Sequence, residues 1–182
     1  MTHLPLITTV ALPFTLLNKS YSHTIITSKE TIRYMNFSDQ GEIAITIGPS
    51  TSQKAKPYFS QIIEAKMFTQ EGVLEIIDKL QPKGPLLYPR SIKARSYLAQ
   101  ELILRGYEVD IIDVYDTISI SSVELPDLAL FDRIFFTSPS CVSSFFKLYN
   151  GPYLVDKFHP IGPITEKKLL QKKKIVEHTP SR

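Results

Sequence analysis

The apolar positions of this chain form short runs that alternate with longer, helix-like patterns. The short runs are rich in β-branched residues, which predicts strands at 24–26, 43–47, 86–88, 109–112 and 134–136. Between several of them the apolar residues recur at helical spacing. Strands that alternate with helices favour an α/β fold in which mostly parallel sheets are buried on both faces by helices.

Capping signals mark three of the predicted helices. Thr69 is placed to begin one whose apolar positions are Val73, Leu74, Ile76, Ile77 and Leu80. Ser91 is predicted to begin the next, which has Gly106 at its end and the apolar positions Ala94, Leu98 and Leu102. Ser138, followed by Pro139 at the first helical position, predicts a third with the apolar positions Val142, Phe145, Phe146 and Tyr149.

One pair of turns occurs twice along the chain. An apolar run ends in Thr-Ser at Thr27 and Ser28, and again at Thr137 and Ser138. Each is followed by a second apolar run that ends in Gly-Pro-x-Thr, at 48–51 and at 162–165. Both endings suit a strand that passes into a helix. Their recurrence in one order predicts two related three-layer α/β halves.

The stretch 117–126 is rich in Ser and Ile and has no helical period, so it is the predicted crossing between the halves. We expect an N-terminal strand or connector at 1–15, a first α/β domain at 16–114 and a second at 115–182. The second half is short and is expected to be incomplete, because so few residues form only a marginal core.

Strand-to-helix turns of a parallel sheet open on its carboxyl edge, where ligands bind and where free helix N–H groups favour anions. Two such edges that face each other across a cleft would offer many neutral donors, which suits a ligand with several carboxylates. The alternative for each hydroxyl is that it only caps its helix. The predicted binding residues are Thr27, Ser28, Thr51, Thr137, Ser138, Ser140 and Thr165.

Two further residues carry candidate chemistry. Arg90 follows a predicted strand and could bind a carboxylate in bidentate fashion, or it could be an ordinary surface arginine. Tyr115 precedes the predicted crossing and could give a proton or a hydrogen bond to a leaving hydroxyl, or it could be a packed hinge residue.

Composition narrows the classes of protein to which this chain could belong. No apolar run is long enough to cross a bilayer, and the single cysteine, Cys141, rules out an intrachain disulfide and favours a reducing cytosol. The four histidines are scattered without metal-ligand spacing, and Gly-rich phosphate loops are absent. The net charge is +3, and the lysine run at 167–174 is best interpreted as a solvated helix end. We therefore expect no metal, no cofactor, no membrane and no nucleic acid.

These motifs together resemble the uroporphyrinogen-III synthase family. The resemblance rests on Phe-Thr-Ser-Pro-Ser at 136–140, Ile-Gly-Pro-x-Thr at 161–165 and the first-half equivalents of both. It continues through Tyr-Pro-Arg at 88–90, Leu-Arg-Gly-Tyr-Glu-Val at 104–109 and Val-Tyr-Asp-Thr at 114–117. The order and spacing of these segments are more specific than any one of them.

The resemblance implies two flavodoxin-like α/β domains, a two-stranded connector and an active site in the cleft between the domains. It implies that hydroxymethylbilane, an octacarboxylate, is cyclised without metal or cofactor, with inversion of the last pyrrole ring and loss of water. Tyr115 matches the family's candidate for assisting hydroxyl loss, and the cleft Ser and Thr positions match Thr27, Ser28, Thr51, Ser138 and Thr165. The expected partner besides the substrate is the preceding enzyme of the pathway, and the expected location is the cytoplasm.

The chain departs from the family pattern in ways that keep two alternatives open. It begins at about the family's second strand, so we expect an N-terminally shortened member, and Ile164 replaces a position that is often hydroxylated. A non-catalytic remnant that binds a tetrapyrrole or another anion is one alternative. The other is a small α/β regulatory module, although no acidic cluster follows a first strand.

Overall fold

The computed structural model describes residues 2–37 and 42–177, with the side chains of the helix end 174–177 left out. The chain divides into two compact units. The first unit is Thr9–Asp116, and the described part of the second unit comes from Met1–Thr8 and Thr117–Arg182. The predicted domain boundaries stay a prediction, because compactness within one chain does not show that either part folds alone.

The first unit is built on parallel strands: β2 (His23–Ile26), β3 (Ile43–Thr46), β4 (Gln61–Glu64), β5 (Leu86–Ser91) and β6 (Val109–Ser119), of which β6 runs on past the unit's last residue. Strand β2 pairs in parallel with β3 on one side and with β5 on the other, and the pairing continues outward to β4 and to β6. The chain therefore reverses its direction of travel across the sheet between β2 and β5. Such a switch point opens a crevice at the carboxyl ends of the strands.

The described part of this unit contains four helices: α1 (Thr31–Tyr34), α2 (Pro49–Ala55), α3 (Gln70–Leu80) and α4 (Tyr97–Leu104). Ile25 and Ile26 are both buried, yet they belong to different hydrophobic clusters. Successive side chains of a strand point to opposite faces, so the sheet is covered on both sides. The cluster around Ile25 includes Val73, Ile77, Leu98 and Leu102 of α3 and α4. The cluster around Ile26 includes Phe37, Ala55 and Phe59.

The second unit contains the parallel pair β7 (Ile134–Phe136) and β8 (Phe158–Pro160), with α5 (Pro139–Leu148) after the first strand and α6 (Pro163–Glu177) after the second. A single 3₁₀ turn, Leu128–Leu130, precedes β7. Aromatic rings fill the core of the second unit, and the rings of Phe136, Phe145 and Phe158 meet one another edge to face. Edge-to-face packing suits rings whose edges and faces carry opposite partial charge.

Strand β1 (Ile7–Ala11) lies next to β6 in the sheet order. The Leu12 amide donates to the Val114 carbonyl, and the Ile120 amide donates to the Leu6 carbonyl. From Leu6 to Leu12 on one strand, the partner on the other strand goes back from Ile120 to Val114. Strands β1 and β6 are therefore antiparallel. Both strands continue from one compact unit into the other.

The mixed α/β fold with mostly parallel strands is confirmed. Thr69 caps α3 by accepting from the Gly72 amide, and Ser138 caps α5 by accepting from the Cys141 amide. Pro49 and Pro163 begin α2 and α6, as the Gly-Pro turns predict. Gly106 follows α4 at a φ of 77°, which glycine adopts without strain. In the described part of the chain, every helix is too short or too polar to span a membrane.

The prediction that Ser91 begins a helix is wrong. Ser91 is the last residue of β5, where it pairs with Tyr115 of β6, and α4 begins only at Tyr97. The Ser91 hydroxyl accepts from the Lys93 amide in a local turn instead. Pairing with β6 thus extends β5 beyond the point where the local pattern turns helical. The lysine run predicted as a helix end falls within α6, where the Lys174 side chain lies outside the described residues.

Candidate active site at the carboxyl edge of the first unit

The switch point of the sheet gathers most of the chemistry of the first unit. Thr27 and Ser28 follow β2, and Arg90 and Ser91 end β5 directly beside it. Tyr115, on β6, pairs with Ser91. We use "switch-point site" for these five residues: Thr27, Ser28, Arg90, Ser91 and Tyr115.

Tyr115 is a buried phenol in this site, with only 5% of its surface exposed. Burial raises the pKa of Tyr115, and hydrogen bonds with the Ser28 and Ser91 side chains offset part of that rise. Its ring stacks on Tyr34, with ring centroids 5.5 Å apart and planes 19° from parallel. A phenol that stays protonated at neutral pH can donate to a leaving oxygen.

Tyr34 is itself held in place, which fixes the ring beneath Tyr115. The Tyr34 hydroxyl donates to the Thr9 carbonyl at 2.7 Å and lies 2.6 Å from the Thr9 hydroxyl. The Arg33 guanidinium carbon lies 5.5 Å from the centroid of the Tyr34 ring. The stacked tyrosine pair is therefore supported from the first residue of the unit.

Only part of the Arg90 guanidinium is hydrogen-bonded to neighbouring residues. Its Nε donates to Asp113 Oδ1 at 2.9 Å, and its guanidinium carbon lies 5.9 Å from the Tyr88 ring centroid. Its Nη1 is buried and has no hydrogen-bond partner among the described residues. An unpaired buried donor is costly, so a small shift of the side chain toward a carboxylate or a water would be favourable.

The Thr27 hydroxyl lies 3.4 Å from the hydroxyl of Tyr88, a fully buried residue of β5. Gln70 donates to the same phenol from the first turn of α3, over 3.3 Å. The Ser28 hydroxyl accepts from the Glu30 amide at 3.2 Å. Both members of this Thr-Ser pair are half-buried, so they can still meet a ligand.

Thr51 and Thr165 occupy the third position of α2 and α6, and both are almost fully buried. Each of these predicted binding residues thus lies in a packed helix start of its own unit, and each is as little exposed as Tyr115. Near Thr51, the hydroxyls of Ser52 and Thr46 lie 2.7 Å apart, and Ser52 also bonds the Glu64 carboxylate. These polar contacts fix the turn before α2.

In the second unit the Thr-Ser pair has a different environment. Ser138 is the N-cap of α5, and the exposed Thr137 has its hydroxyl 3.5 Å from Cys141 Sγ. Ser140 is half-buried in the first turn of α5. The four predicted binding residues of this unit thus lie at two strand-to-helix turns, and their role in binding stays a prediction.

Sequence reasoning missed two features of the first unit's carboxyl edge. One is a pair of cations in the segment after β5: Lys93 bonds Asp116 at 2.7 Å, and Arg95 bonds Glu71 at 3.0 Å. The other is the exposed pair Met67 and Phe68, on the loop after β4. The cations were visible in the sequence three and five positions after Arg90, but the helix expected to begin at Ser91 concealed them.

The described residues contain no group of three His, Cys, Asp or Glu side chains that could hold a metal ion. The switch-point site offers a buried, protonated phenol, an arginine with only part of its guanidinium hydrogen-bonded, and several hydroxyl donors. Such a set can bind carboxylates and assist the loss of a hydroxyl group.

The family model described as "Uroporphyrinogen-III synthase HemD" matches residues 1–182. Among solved structures, the chain is similar to the uroporphyrinogen-III synthetase of Helicobacter pylori, at 18% identity and a TM-score of 0.66, covering 92% of this chain and 80% of that one. It is also similar to the uroporphyrinogen III synthase of the extremely thermophilic bacterium Thermus thermophilus, at 15% identity and a TM-score of 0.45, covering 81% and 66%. No curated protein sequence matches. The first of these structures supports the fold, and the family model covers the whole chain, which therefore belongs to the uroporphyrinogen-III synthase family.

Proposed function

We propose that this chain is a uroporphyrinogen-III synthase, a lyase that cyclises hydroxymethylbilane with inversion of the last pyrrole ring and loss of water. Family membership over residues 1–182 supports a small-molecule substrate of this kind. The observation that carries the proposal within the structure is the buried phenol of Tyr115, beside two hydroxyls at the switch point. The proposed location is the cytoplasm.

The proposed mechanism begins with the leaving hydroxyl. Burial holds Tyr115 in its protonated form, so it donates a hydrogen bond or a proton as the carbon–oxygen bond breaks. We assign to Ser28 and Ser91 the positioning of the phenol, because both side chains act on the pKa of Tyr115 and Ser91 pairs with it across the sheet. Loss of the hydroxyl leaves a cationic azafulvene, and the remaining task is to hold the chain of pyrroles in the geometry that closes the ring with inversion.

Carboxylate binding is assigned to the donors that surround the phenol. Arg90 offers its guanidinium, whose side chain is partly exposed, and the half-buried hydroxyls of Thr27 and Ser28 offer neutral donors at the end of β2. Lys93 and Arg95 are held by acidic partners that a substrate carboxylate could replace. Anchoring by groups far from the reacting carbon is what positions a flexible substrate.

The test is incubation of the protein with freshly made hydroxymethylbilane, followed by separation of the type I and type III isomers. Type I forms spontaneously, so only type III above the protein-free background counts as activity. Type III formation that increases with protein concentration supports the proposal. Only type I, from protein shown to be folded, would favour a non-catalytic member of the family that binds a tetrapyrrole or another anion.

A further inference from the structure

Gln70 is a buried amide whose contacts connect three segments of the first unit. It is the first residue of α3, and 6% of its surface is exposed. Its side chain reaches the Leu98 amide at the start of α4, the Arg95 carbonyl just before it, and the Tyr88 phenol on β5. A buried polar group with this many partners is fully satisfied, which gives it one defined orientation.

The backbone decides which way the amide faces. The Leu98 N–H donates to Gln70 Oε1 at 3.2 Å, because an N–H can only donate. The Arg95 carbonyl accepts from Gln70 Nε2 at 3.2 Å, because a carbonyl can only accept. A flipped amide would set donor against donor and acceptor against acceptor. The Gln70 nitrogen therefore faces the Tyr88 oxygen, at 3.3 Å, and donates to it.

This orientation sets the direction of the next bond. The Tyr88 oxygen accepts from Gln70, and its single proton is free to go to its other neighbour, the Thr27 hydroxyl at 3.4 Å. Thr27 then accepts from Tyr88 and keeps its own proton for a third group. Thr27 is half-buried at the carboxyl end of β2, where a ligand of the switch-point site would meet it.

We propose that Gln70 is a positioning residue: it acts through Tyr88 to hold Thr27 as a hydrogen-bond donor toward a carboxylate of the ligand. The inference rests on the proposed function, because it takes the ligand to be a polycarboxylate. It predicts a chain of three donors in series, Gln70 to Tyr88 to Thr27, that ends at the ligand. Interrupting or reversing the chain weakens binding without touching the leaving hydroxyl.

The key variants change direction or remove one link. Gln70→Glu keeps the shape of the side chain but accepts from Tyr88, so Thr27 must then donate inward. Tyr88→Phe keeps the buried ring and removes the relay. Thr27→Val removes the final donor, and Thr27→Ser should restore it. Tyr107→Phe is the matched control, because its hydroxyl donates to the Ile77 carbonyl, away from the site.

Gln70→Glu and Tyr88→Phe are each tested alone and in combination with Thr27→Val. We expect Thr27→Val and Gln70→Glu each to raise the KM for hydroxymethylbilane by about tenfold, with kcat changed little, as expected for one hydrogen bond to a charged group. Tyr88→Phe should raise KM less, because Thr27 keeps its proton and loses only the group that orients it. In the Thr27→Val background the other two should raise KM no further. Equal increases in both backgrounds would show that they act through packing, and would overturn the inference.

Two controls keep the test decisive. Urea unfolding of each variant reports its stability, and if Gln70→Glu does not fold, Gln70→Met, which keeps the length of the side chain and removes its donor to Tyr88, takes its place in the cycle. The same cycle is measured on the Kd of uroporphyrin III, a stable octacarboxylate that needs no turnover. A wild type that binds uroporphyrin III but forms no type III isomer contradicts the proposed function, and the cycle still decides the inference. A wild type that does neither overturns both.

Discussion

The two Thr-Ser turns of this chain have the same sequence and different surroundings. Ser138 stands directly before the ten-residue helix α5 and caps it through the Cys141 amide. Ser28 stands before a helix of only four residues, whose N-cap is Glu30 and which receives no side-chain cap. The Ser28 hydroxyl instead accepts from the Glu30 amide, and the Ser28 side chain lowers the pKa of the Tyr115 phenol.

The threonines differ in the same sense. Thr27 lies 3.4 Å from the buried Tyr88 phenol, whereas Thr137 is exposed and has Cys141 Sγ as its near neighbour. One motif therefore has two uses: in the second unit it begins a helix, and in the first unit it lies against two buried phenols. The comparison teaches that the tyrosines around the turn, and not the turn alone, distinguish the proposed site from a capped helix.

The first prediction concerns the effect of Tyr115→Phe on type III formation. The change keeps the ring that stacks on Tyr34 and removes only the hydroxyl. We expect activity to fall at least about tenfold, which corresponds to about 1.4 kcal/mol of barrier. Tyr107→Phe, which removes a hydroxyl bound to the Ile77 carbonyl, should leave activity unchanged. Full activity of Tyr115→Phe would return this residue to a packing role.

The second prediction tests whether the charged guanidinium of Arg90 binds a substrate carboxylate in the first unit. Arg90→Ala should raise KM by an amount equivalent to about 1.5–3 kcal/mol, the contribution of a hydrogen bond to a charged group. Asp113→Asn is the matched control: it weakens the partner held by Nε at 2.9 Å and leaves the guanidinium in place. Its KM should not rise. A KM that rises equally in both variants would mean that the Arg90–Asp113 pair is structural.

The next expected effect concerns the stability of the cap in the second unit. Ser138→Ala should lower the free energy of unfolding by about 1 kcal/mol, as for loss of an N-cap. Thr69→Ala, which removes the cap of α3, is the matched control and should cost about as much. Ser28→Ala should cost less than Ser138→Ala, because Ser28 accepts one local bond from the Glu30 amide and caps no helix. Urea unfolding of the three variants measures this, and an equal loss for Ser28→Ala would remove the distinction between the turns.

The smallest expected effect is on alkaline stability. Burial raises the pKa of Tyr88 and of Tyr115 above the ordinary value of 10.0. Phenols whose pKa is higher when folded contribute stability that is fully present below the unfolded pKa and is lost as pH rises through the folded one. Wild-type stability should thus fall above about pH 10, and Tyr115→Phe should fall less steeply. The free energy of unfolding is measured by urea unfolding at increasing pH. The same dependence on pH in the wild type and in Tyr115→Phe would contradict this prediction.

Much of the fold was visible in the sequence because its signals are local. The strand 134–136 was predicted at the bounds that β7 has, and the caps Thr69 and Ser138 act as predicted. The helix start at Ser91 was wrong because pairing with β6 continues β5 to that residue. Strand β4 was missed because its four residues include only two apolar ones, Ile62 and Ile63, at the end of the sheet order.

The site was predictable only in part, for the same reason. The hydroxyls of Thr27 and Ser28 were predicted at a sheet edge from the motif, and Tyr115 was singled out by its place before the predicted crossing and by the resemblance. The contact of Thr27 with Tyr88 joins residues 61 positions apart, and that of Gln70 with Tyr88 joins residues 18 apart. Such contacts follow from the sheet order, which no local pattern of this sequence indicates.

The most direct test of the account is type III formation by Ser28→Ala and Ser138→Ala, measured side by side and expressed per folded molecule. We expect Ser28→Ala to lose about two- to tenfold, the effect of one neutral hydrogen bond that positions Tyr115. Ser138→Ala should keep wild-type activity per folded molecule despite its lower stability. The reverse result, with Ser138→Ala impaired and Ser28→Ala fully active, would contradict the assignment of the chemistry to the first unit.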